Sequence, residues 1–250
     1  ESLKNVHIRG GRGGEILFMV DGMPVTHPLY GGRDVLNLNV QEVEQIELLT
    51  GAFSAEYGQA QSGVVNITTR SGGIAKTGSM EYKSDRIDLL GESFNNDYLS
   101  FNVGGPLSYV QNALKFVHIP LPGELFFFSS GNINLDDTRM NNGRSRELLF
   151  ENLDIYQRQN NEMHLNTKVD WNITPKFKVT GSYSGSFKEW TNFDWMWILS
   201  PDNTAQYARN TIKYGIKVNH FISQNTFYNL NLGYLEVDYQ ASLDGKTDLP

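Results

Sequence analysis

The sequence predicts a mainly β chain: a small α/β domain, then antiparallel strands of a transmembrane β-barrel that these 250 residues leave incomplete. Three observations carry that expectation. Long segments alternate apolar and polar residues with period two. Short connections alternate with long ones, as in outer-membrane barrels. No stretch approaches the roughly 18 consecutive apolar residues of a membrane-crossing helix; the richest run is Leu125-Phe126-Phe127-Phe128. Composition agrees: 39% hydrophobic and 20% charged residues are too balanced for a disordered chain and too polar for a helical membrane protein. The 24 Gly, 14 Phe and 12 Tyr suit strands with one lipid face and one lumen face.

The first element is a short strand at Val6-His7-Ile8, before a loop holding Gly10, Gly11, Gly13 and Gly14. Glu15 to Val20 is a near-continuous apolar run of strand length, ended by the turn pair Asp21-Gly22. A polar loop runs from His27 to Arg33. Val40 to Leu49 reads as a short helical turn entering a strand, Gly51 breaks it, and Gly63 to Thr69 is a further strand. "GGRGG" lacks the Gly-Lys-Ser/Thr of a phosphate loop and the acidic residue of a dinucleotide site. It reads as turn chemistry.

These segments carry a specific resemblance. "VHIRGGRGGEILFMVDGMPV" and "VEQIELLTGAFSAEYGQAQSGVVNITTRSGG", in that order across residues 4–73, resemble the plug domain of TonB-dependent outer-membrane receptors. The branch resembled is one in which a carboxypeptidase-regulatory-like domain precedes the plug. In relatives, an arginine in "IRG" and a second one before the glycine of "IE-x-L-x-G" form ion pairs with barrel glutamates. Here Thr50 takes the second place, so the resemblance leaves Arg9 as the matching member of that plug–barrel lock. Residues 1–75 are expected to be a plug domain lacking its N-terminal part, and residues 76–250 the first barrel strands, roughly seven by periodicity. No basic, apolar signal peptide opens the sequence, so residue 1 reads as an internal or processed start.

Beyond Gly73 the strands lengthen. Ser79–Leu90, Leu99 to Val103 (before Gly104-Gly105-Pro106) and Leu125–Leu135 are the first of them. Met163, Leu165, Thr167, Val169 and Trp171 share one face, opposite His164, Asn166, Lys168 and Asp170. A tight turn at Thr174-Pro175-Lys176 leads to Phe177, Val179, Gly181, Tyr183 and Phe187 on one face of the next strand. The pair around the Ser223–Thr226 turn repeats the pattern. There the alternation slips, as Leu235, Val237 and Tyr239 take over the apolar phase; a β-bulge or exit from the membrane would explain it. Connections near 136–161 and 188–209 are long, and Trp171, Phe177, Phe221 and Phe227 flank the short turns as a periplasmic aromatic girdle. A soluble antiparallel sandwich also alternates, but predicts neither strands of this length nor aromatics gathered at the turns.

The formal net charge of −7 argues against a nucleic-acid partner. The chain has no cysteine, and its five histidines show no metal-ligand spacing, so no metal or cofactor is expected. Asp137 to Glu151 is out of step with an EF-hand. No Ser, His and Asp arrangement forms a catalytic motif, and no enzyme is expected. The resemblance implies instead active uptake across the bacterial outer membrane, with TonB as the energy-coupling partner. Its substrate would be a siderophore–iron complex, vitamin, glycan or peptide, and outer-membrane lipids and a surface lipoprotein lid would be further partners. A non-transporting outer-membrane component of a surface or secretion assembly is the alternative. For substrate contact, plug loops that face outward in this family nominate Arg12, Glu15, His27, Tyr30 and Arg33. The long loop of residues 188–209 nominates Trp190, Phe193, Trp195, Trp197 and Tyr207, whose aromatic faces suit flat or sugar ligands. The competing reading of that loop is a girdle at the lipid headgroups.

Overall fold

The structure is a computed structural model that describes residues 16–25, 40–50, 62–85, 95–116, 118, 121–137, 148–150, 155–156, 158–192, 194–200 and 203–242. The first sheet comprises β1 (Ile16–Val20), β2 (Met23–Pro24), β3 (Val43–Leu49) and β4 (Gly63–Thr69), in the order β2-β1-β4-β3. β1 runs parallel to β4 and is buried along its whole length, which is why its sequence is an unbroken apolar run. Asp21 and Gly22 both have positive φ, 55° and 80°, the signature of a type I′ hairpin turn that pairs Val20 with Met23. Val40–Glu42 forms the expected helical turn, a 3-10 turn, before β3. Ile16, Phe18, Val20, Val25, Val65 and Ile67 make one core cluster, and Leu17, Met19 and Val64 pack on the other side of the sheet.

The second sheet is a seven-stranded antiparallel wall. Its members are β5 (Thr77–Ser84), β6 (Asp97–Pro106), β7 (Glu124–Asp136), β10 (Asn160–Thr174), β11 (Phe177–Thr191), β12 (Gln206–Phe221) and β13 (Phe227–Ser242). A separate hairpin, β8 (Leu148–Phe150) with β9 (Ile155–Tyr156), sits within the connection from β7 to β10. The register aligns Ser100, Asn132, His164, Ser186, Thr211 and Val237 across six strands. That row belongs to an inner face on which Ser130, His164, Asn166, Lys168, Ser184 and Lys213 are buried polar residues. The opposite face exposes Phe101, Leu165, Tyr214, Ile216, Leu230 and Leu232. Polar residues inside and large apolar residues outside invert the soluble pattern and make the outer face a lipid belt. No helix among the described residues is long and apolar enough to cross a membrane, a statement that leaves strands untouched.

Four details depart from expectation. β5 closes at Ser84, and residues 86–90 of the longer strand expected there lie outside the described residues. The connection from β6 to β7, for which the strand pattern predicts no element, carries helix α1 (Ser108–Phe116). The β12–β13 register runs unbroken from Gln206↔Ser242 to Phe221↔Phe227, so no bulge explains the slip in alternation. Leu235, Val237 and Tyr239 are simply apolar residues on the inner face. Finally, Phe221 and Phe227 share the inner-face phase of Asn219 and Asn229, while Phe177, His220 and Tyr228 line up outside, with ring centroids 5.0 and 5.2 Å apart. The outer aromatic row at the short-turn end is therefore Trp171, Phe177, His220 and Tyr228.

Candidate functional site

The small sheet is fastened to the inner face of the wall by buried polar contacts. At the β1–β2 turn, Lys168 Nζ donates to Asp21 Oδ1 at 2.9 Å and to the Thr69 carbonyl at 2.7 Å. Asp21 also accepts from the Thr69 amide at 3.0 Å and the Thr69 hydroxyl at 2.6 Å, so one carboxylate joins β1, β4 and β10. Lys213 Nζ donates to the Val20 carbonyl at 2.9 Å. The second fastening is deeper: Glu42 and His164 side chains are both fully buried, with Nε2 3.1 Å from Oε1. Ser130 Oγ donates to Glu42 Oε2 at 2.8 Å. His164 Nδ1 has no partner among the described residues, and because a carboxylate only accepts, Nε2 is the nitrogen that donates to Glu42. Asn102 Nδ2 donates to Gln41 at 3.0 Å, extending the seam to β6.

One apolar contact complements these bonds. Met23, at the tip of the β1–β2 hairpin, lies over Gly215 and Gly233 on the neighbouring strands β12 and β13. A Cβ on Gly233 would stand 2.7 Å from Met23 Sδ, and one on Gly215 would overlap Met23 Cε. The two glycines form the hollow that the methionine fills.

Toward the end of the wall that bears the long connections, the inner face changes character. Trp190 and Tyr207 pair across β11 and β12 and stack, with centroids 5.4 Å apart and planes at 19°. Tyr239 joins them at 6.1 and 6.4 Å. Lys188 lies 5.9 Å from the Trp190 ring centroid and 3.4 Å from Glu162, and Arg209 pairs with both Lys188 and Tyr239 in register. All of these positions share the phase of Lys213 and Ser184, so the cluster faces the lumen.

Residues 1–65 match the family model described as TonB-dependent Receptor Plug Domain. The TonB-dependent transporter Oar of Myxococcus xanthus is 32% identical over 75 residues, 30% of this chain and 7% of its own length. The ferric enterobactin receptor of Pseudomonas aeruginosa is 32% identical over 116 residues, 42% of this chain and 15% of its own. A crystal structure of a variant of that ferric enterobactin receptor has the same fold, with a TM-score of 0.56 at 19% identity, covering 91% of this chain and 33% of that one. The chain carries a TonB-dependent receptor plug domain over residues 1–65 and has the fold of such a receptor. It spans a small fraction of the curated relatives it matches, 7% and 15% of their lengths. Its place is the outer membrane of a Gram-negative bacterium, with the plug sheet against the inner face of the barrel wall. Long connections then mark the extracellular end and tight turns the periplasmic end.

Within this fold, the sequence-nominated residues divide. Trp190 and Tyr207 come together on the luminal face, a position that a lipid-facing girdle would not give them. Trp195 and Trp197 sit on a 3-10 turn of the β11–β12 connection, capped by Asp194, whose Oδ1 accepts from the Met196 amide at 2.9 Å. Arg9, Arg12, Glu15, His27, Tyr30, Arg33 and Phe193 lie outside the described residues. Sequence reasoning missed Tyr239 and the whole polar seam. In the described part of the seam, carboxylates on the plug, Asp21 and Glu42, meet Lys168 and His164 on the barrel, and Lys213 meets the Val20 carbonyl; the Arg9 lock that the resemblance implies lies outside the described residues. Grouping His164 with Lys168 on the polar face of a barrel strand was the one available signal.

Proposed function

We propose that this receptor takes up a substrate actively, with TonB drawing on the plug and the plug moving against the barrel wall. The observation that carries this reading is the chemistry of the seam. The plug keeps its own apolar core of Ile16, Phe18, Val20, Val25, Val65 and Ile67, and among the described residues it meets the wall mainly through hydrogen bonds and ion pairs. Such groups regain water when they part, whereas an apolar interface would expose greasy surface. The interface is therefore one that can be opened without unfolding the plug. Substrate arrives from outside and meets the luminal Trp190–Tyr207–Tyr239 cluster, with Trp195 and Trp197 on the loop above and Arg12, Glu15, His27, Tyr30 and Arg33 contributed by the plug. Ferric enterobactin, the ligand named for the relative in Pseudomonas aeruginosa, is the first substrate to try.

A disulfide tether tests plug movement. An ideal Cβ on Gly233 stands 3.8 Å from Met23 Cβ, within the roughly 3.5–4.5 Å that a disulfide spans. The Met23→Cys/Gly233→Cys receptor should lose energy-dependent uptake of iron-labelled ferric enterobactin when oxidised and regain it on reduction. Uptake undiminished in the fully oxidised protein would overturn the moving-plug reading.

A further inference from the structure

At the periplasmic end, the connection between β6 and β7 lies against the lipid-facing side of the wall. The Trp171 indole, part of the outer aromatic row, donates to the Pro122 carbonyl at 2.8 Å, and the Leu107 amide donates to Leu125, the register partner of Trp171. These bonds hold α1 at the depth of that aromatic row, where a barrel meets lipid headgroups. Gln111 ties the helix back to the wall through the Gly123 carbonyl, at 2.9 Å. Tyr109, Ala113 and Phe116 follow at helical spacing on one exposed face, with Tyr109 76% and Phe116 87% exposed.

Beside this helix is a cavity of about 430 Å³ lined by Val103, Phe127, Gly78, Leu107, Tyr109 and Lys76. Val103, Phe127 and Gly78 have the outward phase of the wall, so the cavity is continuous with the lipid belt. Lys76 brings the one charged side chain of that lining and holds its ammonium 4.9 Å from the Tyr109 ring centroid. The kink at Gly105, φ +152°, permits this approach: a Cβ there would stand 3.1 Å from Lys76 Cα.

We propose that α1 lies in the periplasmic membrane interface and that this cavity seats one phospholipid of the inner leaflet, its phosphate at Lys76 and an acyl chain on Val103 and Phe127. An apolar helix face, an aromatic anchor and a cation at headgroup depth are elements of interfacial lipid recognition. Continuity with the lipid belt names the occupant, since whatever wets Leu165 and Ile216 also reaches Val103.

The test uses the purified full-length receptor. Native mass spectrometry with added phosphatidylglycerol should show Lys76→Gln retaining about fivefold less bound lipid than the parent, while Lys83→Gln, on the far half of β5, retains as much. In nanodiscs, a bimane on Phe116→Cys should be quenched by brominated lipid. Equal lipid retention by Lys76→Gln and parent overturns the seat. An unquenched bimane overturns the interfacial placement of α1, and with it the proposal.

Discussion

Replacing Lys168 by methionine keeps the bulk of the side chain and removes one charge from the seam. The ammonium makes two short bonds, to Asp21 and to the Thr69 carbonyl, and the Lys168 and Asp21 side chains are only 7% and 14% exposed. Breaking a buried pair by deleting one partner costs about 3–5 kcal/mol, because the remaining charge stays buried. Here the Asp21 carboxylate keeps both bonds from Thr69, which places the cost near the lower limit, about 3 kcal/mol. That corresponds to an opening equilibrium about two orders of magnitude larger. Amide hydrogen exchange of the folded receptor reads it directly: β1 and β4 amides such as Phe18 and Ile67 should exchange about 100-fold faster where exchange follows the opening equilibrium. Asp21→Asn/Lys168→Met removes both charges while keeping a side chain suited to the left-handed turn, and it should recover at least about 1 kcal/mol of the loss. Exchange within threefold of the parent in Lys168→Met, or strictly additive single effects, would refute the claim that this pair fastens the plug.

Three other outcomes are expected. Gly215→Ala or Gly233→Ala alone should cost under about 1 kcal/mol, because Met23 can turn away, whereas the double variant should cost about 2 kcal/mol more than their sum by filling the whole hollow; chemical unfolding of the plug measures both. Ile216→Arg on the lipid face should cost about 2–4 kcal/mol in folding into bilayers, while Lys217→Arg beside it on the inner face should be nearly neutral. Trp190→Ala should weaken ferric enterobactin binding by about tenfold through loss of the stacked face, measured by fluorescence titration, and unchanged affinity would remove the luminal cluster from the binding site.

What was legible in the sequence follows the range over which each signal acts. β4 was readable to its last residue because Gly63 to Thr69 is a compact β-branched run bounded by turn residues. The faces of β10, β11 and β12 were readable because every second residue reports the same environment. α1 was not: it is nine residues long, lies between Pro106 and Pro120, and offers only the Tyr109–Ala113–Phe116 stripe, too little periodicity to stand out. The seam was invisible for another reason. Asp21 and Lys168 are 147 positions apart and Glu42 and His164 are 122 apart, so no local pattern couples them. The aromatic cluster was half legible. Composition picked out Trp190 and Tyr207, but the inward phase of Tyr239 resembled an error in alternation until strand register gave it neighbours.

The polarity of the seam makes plug and barrel a matched pair in evolution. A plug with an uncharged residue at the Asp21 position would, if grafted here, leave Lys168 without its carboxylate where that side chain is only 7% exposed. A buried ammonium would then stand without a counter-charge. Recombination between receptors of this family should thus favour joints that carry plug and wall together. Domain exchange across the residues joining Thr69 to Thr77 would succeed only with donors that share this chain's orientation of charge.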